Sequence, residues 1–243
     1  MPVSVGTLST FLTRLADFAE PCPSDAALDL CYGPSPLASA LTPRVGRLVS
    51  LDLGPQAVSC GQIRETAPRS PRPGSSDPRL TPAAPADPVV LPYADGEFSL
   101  VTTRFTLLRM ADPGAVLREM LRVCRPDGRI VLADLARTNC SSDHRDALER
   151  VRDPGFRATP PIGDLVAMVE SAGSRVRRLD LLTVERPAEP WLASARDPGI
   201  AARLRDVLLA EVDGGPKTGA RPRIIGGELW FTQTWAHLAA RPV

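Results

Sequence analysis

A short apolar run that ends in an acid, breaks at a glycine and restarts with helical spacing lies at residues 27–41, ALDLCYGPSPLASAL. The order strand, tight turn, helix is typical of the crevice edge of doubly wound α/β domains. Gly33 can adopt the positive φ that such a turn requires, and Ser35 followed by Pro36 favours a helix start. The stretch therefore predicts the first strand, turn and helix of an α/β sheet.

The same alternation continues along the chain. Further strands are predicted at residues 47–51, 98–102, 129–133, 175–184 and 228–236, and further helices at 7–20, 113–125, 142–151, 162–172 and 198–212. Asp112 and Asp197 are predicted as helix caps, and Pro126-Asp127-Gly128 as a tight turn. Strands that alternate with helices predict a doubly wound, mostly parallel sheet with helices on both faces.

Length and charge point to one soluble domain. The 243 residues can bury a single full-sized core, so we predict one domain over residues 1–243. The net charge of +1 shows no bias toward nucleic acid or a membrane surface. No apolar stretch approaches the ~20 residues that span a bilayer, and the N-terminus does not resemble a secretion signal. We therefore expect a cytoplasmic protein that binds neither nucleic acid nor membrane.

The cysteines do not predict a metal site or a disulfide framework. They are five in number, scattered, and form no CxxC pair: Cys22, Cys31, Cys60, Cys124 and Cys140. We expect buried or idle thiols and no bound metal.

A proline-rich stretch interrupts the alternation at about residues 67–88, where seven prolines occur with few large apolar residues. Each proline removes a backbone donor and resists helix, so an irregular loop is predicted. Such a loop beside a crevice could be either a solvated connection or a lid over a substrate.

Asp52 ends the second predicted strand, 23 positions after Asp29. In nucleotide-binding βαβ units an acid roughly 20 residues on from the first turn binds the ribose hydroxyls. The alternative is a turn or capping aspartate before Gly54-Pro55, and the spacing does not decide between the two.

At this point the sequence resembles the class I S-adenosylmethionine-dependent methyltransferases, in the small-molecule branch that includes quinone-biosynthesis enzymes. Three stretches carry the resemblance: ALDLCYGPSP, VVLPYADGEFSLVTTRFTLLRMADP and AVLREMLRVCRPDGRIVLADL. The family fold that this implies is a seven-stranded sheet whose last strand is antiparallel. The resemblance covers roughly residues 25 to 185.

The resemblance also implies a set of positions that bind the cofactor S-adenosylmethionine. They are Asp29 and Gly33 around its methionine part, Cys31 and Ser35 at two positions where the family has loop glycines, Asp52 at the ribose, Asp87 near the adenine, and Thr103 and Arg104 on the crevice wall. This sequence departs from the family pattern at those two former glycines, at Ser99 in place of an acid, and at Pro34 and Pro36, which lack N–H donors.

Three functions remain open from the sequence. The first is methyl transfer to a small-molecule acceptor, with Phe105, Trp191 and Trp230 as either pocket aromatics or core residues. The second is a methyltransferase scaffold that has lost methyl transfer and catalyses a cyclisation or rearrangement. The third is a non-catalytic partner protein.

A general base is optional in methyl transfer. His144, after the fifth strand, is the candidate catalytic residue, although a lone surface histidine can equally be inert, and His237 is read as structural. A homo-oligomer is compatible with the sequence.

Overall fold

The computed structural model describes residues 4–54, 63–66, 90–138 and 144–243, and gives only the backbone of residues 4–9, 63–66 and 144. Its helices are α1 (Ser4–Phe18), α2 (Pro36–Leu41), α3 (Pro113–Val123), α4 (His144–Arg152), α5 (Ile162–Ser171), α6 (Glu189–Leu192) and α7 (Pro198–Val212). Its strands are β1 (Ala26–Cys31), β2 (Arg47–Asp52), β3 (Ile63–Thr66), β4 (Phe98–Arg104), β5 (Cys124–Leu135), β6 (Ser174–Pro187), β7 (Arg223–Ile225) and β8 (Glu228–Pro242). The proline-rich stretch predicted at 67–88 lies outside the described residues.

The described strands form one sheet in the order β3-β2-β1-β4-β5-β8-β6, with β7 paired to β8. Pairing is parallel from β2 through β1 and β4 to β5. The last strand, β8, lies antiparallel between β5 and β6, so β6 runs in the same direction as β5. The predicted α/β fold class, with its antiparallel last strand, is confirmed.

Both faces of the sheet are buried, because successive side chains of a strand point to opposite faces. Leu28 and Leu30 of β1 pack in a core with α3 and α5. Ala27, the residue before Leu28, belongs to a second core with α1 and α2. A third apolar cluster joins α4, α6, α7 and the first half of β8.

The helix starts follow the capping chemistry read from the sequence. The Ser35 hydroxyl accepts from the Ala38 N–H at 3.0 Å, and Pro36 occupies the first turn of α2. Asp112 and Asp197 cap α3 and α7 in the same way. These predictions are confirmed because a cap depends only on neighbouring residues.

Elements that depend on distant pairing differ from the prediction. β3 is an unpredicted strand that pairs antiparallel with β2, and β8 extends to Pro242. Residues 126–128, predicted as a tight turn, lie within β5, whose pairing with β4 jumps from Cys124 to Arg129. Gly128 fits this irregularity because a Cβ there would lie 2.9 Å from the Ser99 carbonyl oxygen.

The helices that the structure describes include none with the length and apolar character of a bilayer span.

Candidate functional site

Two cavities adjoin at the edge of the sheet where β1, β4 and β5 end. The first cavity, of about 200 Å³, lies between the turn after β1 and the segment after β4. The second cavity, of about 280 Å³, lies between the ends of β4 and β5, helix α4 and helix α6. Arg104, Phe105 and Arg109 line both cavities and so form a shared wall.

Asp29 shapes the floor of the first cavity from beneath the turn. Its carboxylate is 1% exposed and accepts from the Ser35 hydroxyl at 2.5 Å and from the Thr102 hydroxyl at 2.6 Å. Burial raises the pKa of Asp29, and these two hydrogen bonds oppose that rise. Asp29 thus ties the start of α2 to β4.

Asp52 holds the same turn from the side. Its Oδ1 accepts from the backbone N–H groups of Gly33 and Gly54, each at 2.8 Å. Gly33 has a φ of +86°, a conformation that a residue with a Cβ adopts at a cost. A carboxylate has a second oxygen, and the Oδ2 of Asp52 has no hydrogen-bond partner within the described part of the chain.

The turn itself offers few donors. Pro34 and Pro36 have no N–H, and the Gly33 N–H is already bound to Asp52. The Cys31 thiol, at a position where the family has a glycine, is buried beside the Ser50 hydroxyl and the Leu51 carbonyl oxygen. Burial raises the pKa of Cys31 to about 11, so this thiol stays protonated.

The shared wall supplies the positive charge that the turn lacks. No carboxylate within the described residues forms an ion pair with Arg104, whose guanidinium lies 4.5 Å from the centre of the Phe105 ring. Burial and the nearby charge of Arg186 lower the pKa of Arg104 to about 10, which leaves it protonated at neutral pH.

Phe105 holds a strained backbone at this wall. Its φ is +52°, which is uncommon for a bulky residue, and its N–H donates to the Ala133 carbonyl at 2.8 Å. Its ring contacts Trp235 edge to face at 4.9 Å between centroids. Strained residues cluster at functional sites, so Phe105 is a site candidate from geometry as well as from sequence.

Glu149 organises the floor of the second cavity. Its carboxylate is 1% exposed and pairs with Arg145 at 3.4 Å and with Arg152 at 3.0 Å. The Trp191 indole N–H and the Gln233 amide also donate to it. One buried carboxylate therefore serves two arginines and fixes the position of an aromatic wall.

Asp134, at the end of β5, lines the second cavity and was absent from the predicted site. Its carboxylate is 4% exposed and accepts from the backbone N–H groups of Leu135 and Leu108, at 2.8 and 3.3 Å. Burial raises the pKa of Asp134 to about 6. Its position after a predicted buried strand was the available signal, since Asp52 likewise follows the predicted strand 47–51.

The other sequence candidates occupy varied places. Thr103 is 1% exposed within β4 and does not line either cavity. His144 begins α4, but its side chain lies outside the described residues, as does all of Asp87. Their roles remain predictions.

Two of the three aromatic candidates reach the cavities. Phe105 lines both and Trp191 lines the second, whereas Trp230 is not part of either wall. His237 is buried against Phe18, away from both cavities. Within the described residues, no group of three His, Cys, Asp or Glu side chains has the arrangement of a metal site.

Residues 28–132 match a family model described as a methyltransferase domain. The chain is 28% identical over 172 residues to a demethylmenaquinone methyltransferase of Mycolicibacterium vanbaalenii, covering 62% of this chain and 68% of that one. It is 34% identical over 119 residues to the methyltransferase GfsG of Streptomyces halstedii, covering 46% of this chain and 41% of that one. The chain thus spans about two fifths of the length of the second relative.

Solved structures share the fold over nearly the whole chain. The YcgJ protein of Bacillus subtilis superimposes with a TM-score of 0.71 at 16% identity, covering 96% of this chain and 98% of that one. Geranyl diphosphate C-methyltransferase of Streptomyces coelicolor, solved with S-adenosyl-L-homocysteine, gives 0.56 at 12% identity, with 97% and 81% covered. The [4+2]-cyclase SpnF gives 0.52 at 18% identity, with 95% and 80% covered.

Proposed function

We propose that the chain is a class I S-adenosylmethionine-dependent methyltransferase that transfers a methyl group to a small-molecule acceptor. The match of residues 28–132 to a methyltransferase domain and the similarity to a demethylmenaquinone methyltransferase support this proposal. The observation that carries this proposal is the pair of cavities with a common wall at Arg104 and Phe105. The first cavity takes the methyl donor and the second takes the acceptor. A reaction between two bound molecules needs them held side by side in line.

The residues around the first cavity fit the proposed donor. Gly33 leaves open space where a Cβ would project, so a ligand can approach the backbone. The unpaired guanidinium of Arg104 suits the carboxylate of the methionine part. Asp52 keeps one carboxylate oxygen available for the ribose hydroxyls, the role that the family resemblance implies.

The chain's own task is mainly alignment. When bound, S-adenosylmethionine supplies a methyl group already activated by a sulfonium. Phe105, fixed by its strained backbone and by Trp235, separates the two cavities and limits the approach of water between them. An acceptor hydroxyl would also need a base, and Asp134 is the candidate that lines the second cavity, with His144 the candidate from sequence.

One observation supports a second function, in which the scaffold has lost methyl transfer and instead catalyses a cyclisation or rearrangement. Pro34, Pro36 and the occupied N–H of Gly33 leave the turn short of the donors that usually face a cofactor. In that case the second cavity alone would be the active site. A loss of all ligand binding would make the chain a non-catalytic partner.

Calorimetric titration with S-adenosylmethionine and S-adenosylhomocysteine distinguishes these functions. We expect both to bind at micromolar to low millimolar concentration. Asp52→Ala should weaken binding at least ~10-fold, about 1.4 kcal/mol, because it removes the ribose acceptor and loosens the turn. Asp52→Asn keeps an oxygen for the Gly33 N–H and should weaken binding less.

Asp206→Ala, at an exposed position on α7, is the matched control and should bind like the wild type. No binding of either molecule at millimolar concentration would exclude methyl transfer. If Asp52→Ala binds these molecules as the wild type does, the ribose role of Asp52 is excluded but methyl transfer is not.

A further inference from the structure

Arg186, near the end of β6, carries a buried positive charge without a counter-charge. Its Nε is buried and has no hydrogen-bond partner in the described part of the protein. Its only hydrogen bond to another side chain there is a long one, 3.4 Å from Nη1 to the Gln233 amide oxygen. No carboxylate on the described elements forms an ion pair with it, and it lines the second cavity.

The two carboxylates that line the second cavity with Arg186 are already engaged. Glu149 pairs with Arg145 and Arg152, so it cannot neutralise a third guanidinium fully. Asp134 is held by two backbone N–H groups. The wall of the second cavity contains four arginines and two acids, and its excess positive charge is largely that of Arg186 and Arg104.

Two like charges without partners in a partly buried wall are costly unless an anion joins them. Removing a guanidinium from water disfavours its charged form, and burial is the main reason that the pKa of Arg186 is lowered. Arg104 and Arg186 line the same cavity, and the charge of Arg186 contributes to the lowered pKa of Arg104. A guanidinium can donate two parallel hydrogen bonds to two oxygens of one carboxylate or phosphate group.

The second cavity also has an apolar and aromatic part. Trp191, Phe156 and Leu108 line it, each less than a tenth exposed. Its volume of about 280 Å³ is below that of drug-sized sites, so it suits one ring with a small substituent. Arg186 thus faces a space whose other walls favour a planar apolar group.

We propose that the second cavity binds the acceptor as a small aromatic oxyanion, with its charged group on Arg186 and its ring against Trp191. That the bound molecule is the methyl acceptor rests on the proposed function, whereas the binding of an aromatic oxyanion does not. This assigns Arg186 as the residue that selects for charge in the acceptor.

The probes are benzoate, phenyl phosphate and the neutral benzamide, titrated at constant ionic strength while the thermal unfolding midpoint is recorded. Benzoate or phenyl phosphate should raise the midpoint saturably, because a ligand that binds only the folded state stabilises it. Comparison of the two separates a carboxylate site from a phosphate site. Arg186→Gln should weaken that effect at least ~10-fold, and Arg186→Lys should weaken it less because the charge remains.

Arg118→Gln, on the exposed part of α3, is the matched control and should respond like the wild type. The folded state of each variant is checked by its circular dichroism and its midpoint without ligand. If Arg186→Gln does not fold, Arg186→Lys is used for the test, and it should bind the oxyanion at least ~3-fold more weakly than the wild type does.

Equal responses to benzoate and benzamide, no response to either oxyanion, or a response that is independent of Arg186 would overturn the proposal. The S-adenosylhomocysteine titration is run separately on the wild type. Oxyanion binding without S-adenosylhomocysteine binding would overturn methyl transfer and leave this inference standing.

Discussion

At the scale of single residues, the acids around the two cavities differ in how far their carboxylate oxygens are already engaged. Some only hold the surrounding structure in place, and others can still contact a ligand. Asp29 has both oxygens bound to hydroxyl groups, so its role is to fix the turn. Asp52 uses one oxygen for the turn and keeps the other. Asp134 is held by backbone N–H groups, yet it lines the second cavity, and burial raises its pKa to about 6.

The raised pKa of Asp134 predicts a pH-dependent stability. Burial raises this pKa from an ordinary 3.8 to about 6, so between these values the folded state binds more protons than the unfolded state. Stability from this group therefore falls as pH rises from 4 to 7. Asparagine does not titrate, so the free-energy gap, which is the free energy of unfolding of Asp134→Asn minus that of the wild type, should increase by about 2 kcal/mol from pH 4 to pH 7.

Urea unfolding at pH 4, 5, 6 and 7 measures the gap. Asparagine loses one backbone hydrogen bond, but that offset does not depend on pH. His237, whose pKa burial lowers to about 4, makes the wild type less stable as pH falls below 6.5, and this contribution cancels in the difference. A gap that is constant with pH would contradict the burial of an ionisable Asp134, and Asp206→Asn should show such a constant gap.

At the scale of elements, one ion pair joins the start of β1, the end of α1 and β5. Arg129 pairs with Asp25 at 2.7 Å and donates to the carbonyl oxygens of Ala19 and Glu20, just beyond α1. Ser99 donates to the same carboxylate at 2.7 Å. Burial alone would raise the pKa of Asp25, but these hydrogen bonds outweigh it and the pKa is lowered.

Arg129→Met should therefore destabilise the fold by about 3 kcal/mol, because it leaves the carboxylate of Asp25, only 6% exposed, without its partner. Arg205→Met, which removes an exposed pair with Glu189, should cost under about 1 kcal/mol. Chemical denaturation of both variants is the measurement. Equal losses would show that the junction contributes no more than a surface ion pair.

The elements that the sequence predicted are those set by local chemistry. β1, α2 and α7 could be predicted because strand alternation, a capping residue and a proline in the first turn lie within a few positions of one another. The match of residues 28–132 to a methyltransferase domain model has the same basis, since the motifs of that domain are contiguous.

The second cavity could not be predicted in this way. It depends on the long antiparallel pairing of β6 with β8, which places Arg186 in the same cavity wall as Arg104 of β4. Neither α6 nor β7 was predicted from a local pattern. The charge of Arg186 was visible in the sequence, but its missing partner was not.

At the scale of the whole molecule, strand direction explains why the cavities lie together. β1, β4 and β5 are parallel, so their carboxyl ends meet at one edge of the sheet, where ligands bind in α/β folds. The third apolar cluster, between α4, α6, α7 and β8, then closes the second cavity from the far side. The proposed donor site on the sheet edge and the proposed acceptor site beside α4 and α6 therefore share one wall.

The most direct test of this arrangement is a crystal structure of the protein with S-adenosylhomocysteine and benzoate. We predict the homocysteine carboxylate on Arg104 in the first cavity, the sulfur atom directed at the shared wall, and the benzoate carboxylate on Arg186 in the second cavity. Binding of S-adenosylhomocysteine outside the first cavity, or with its sulfur directed away from the wall, would contradict the account.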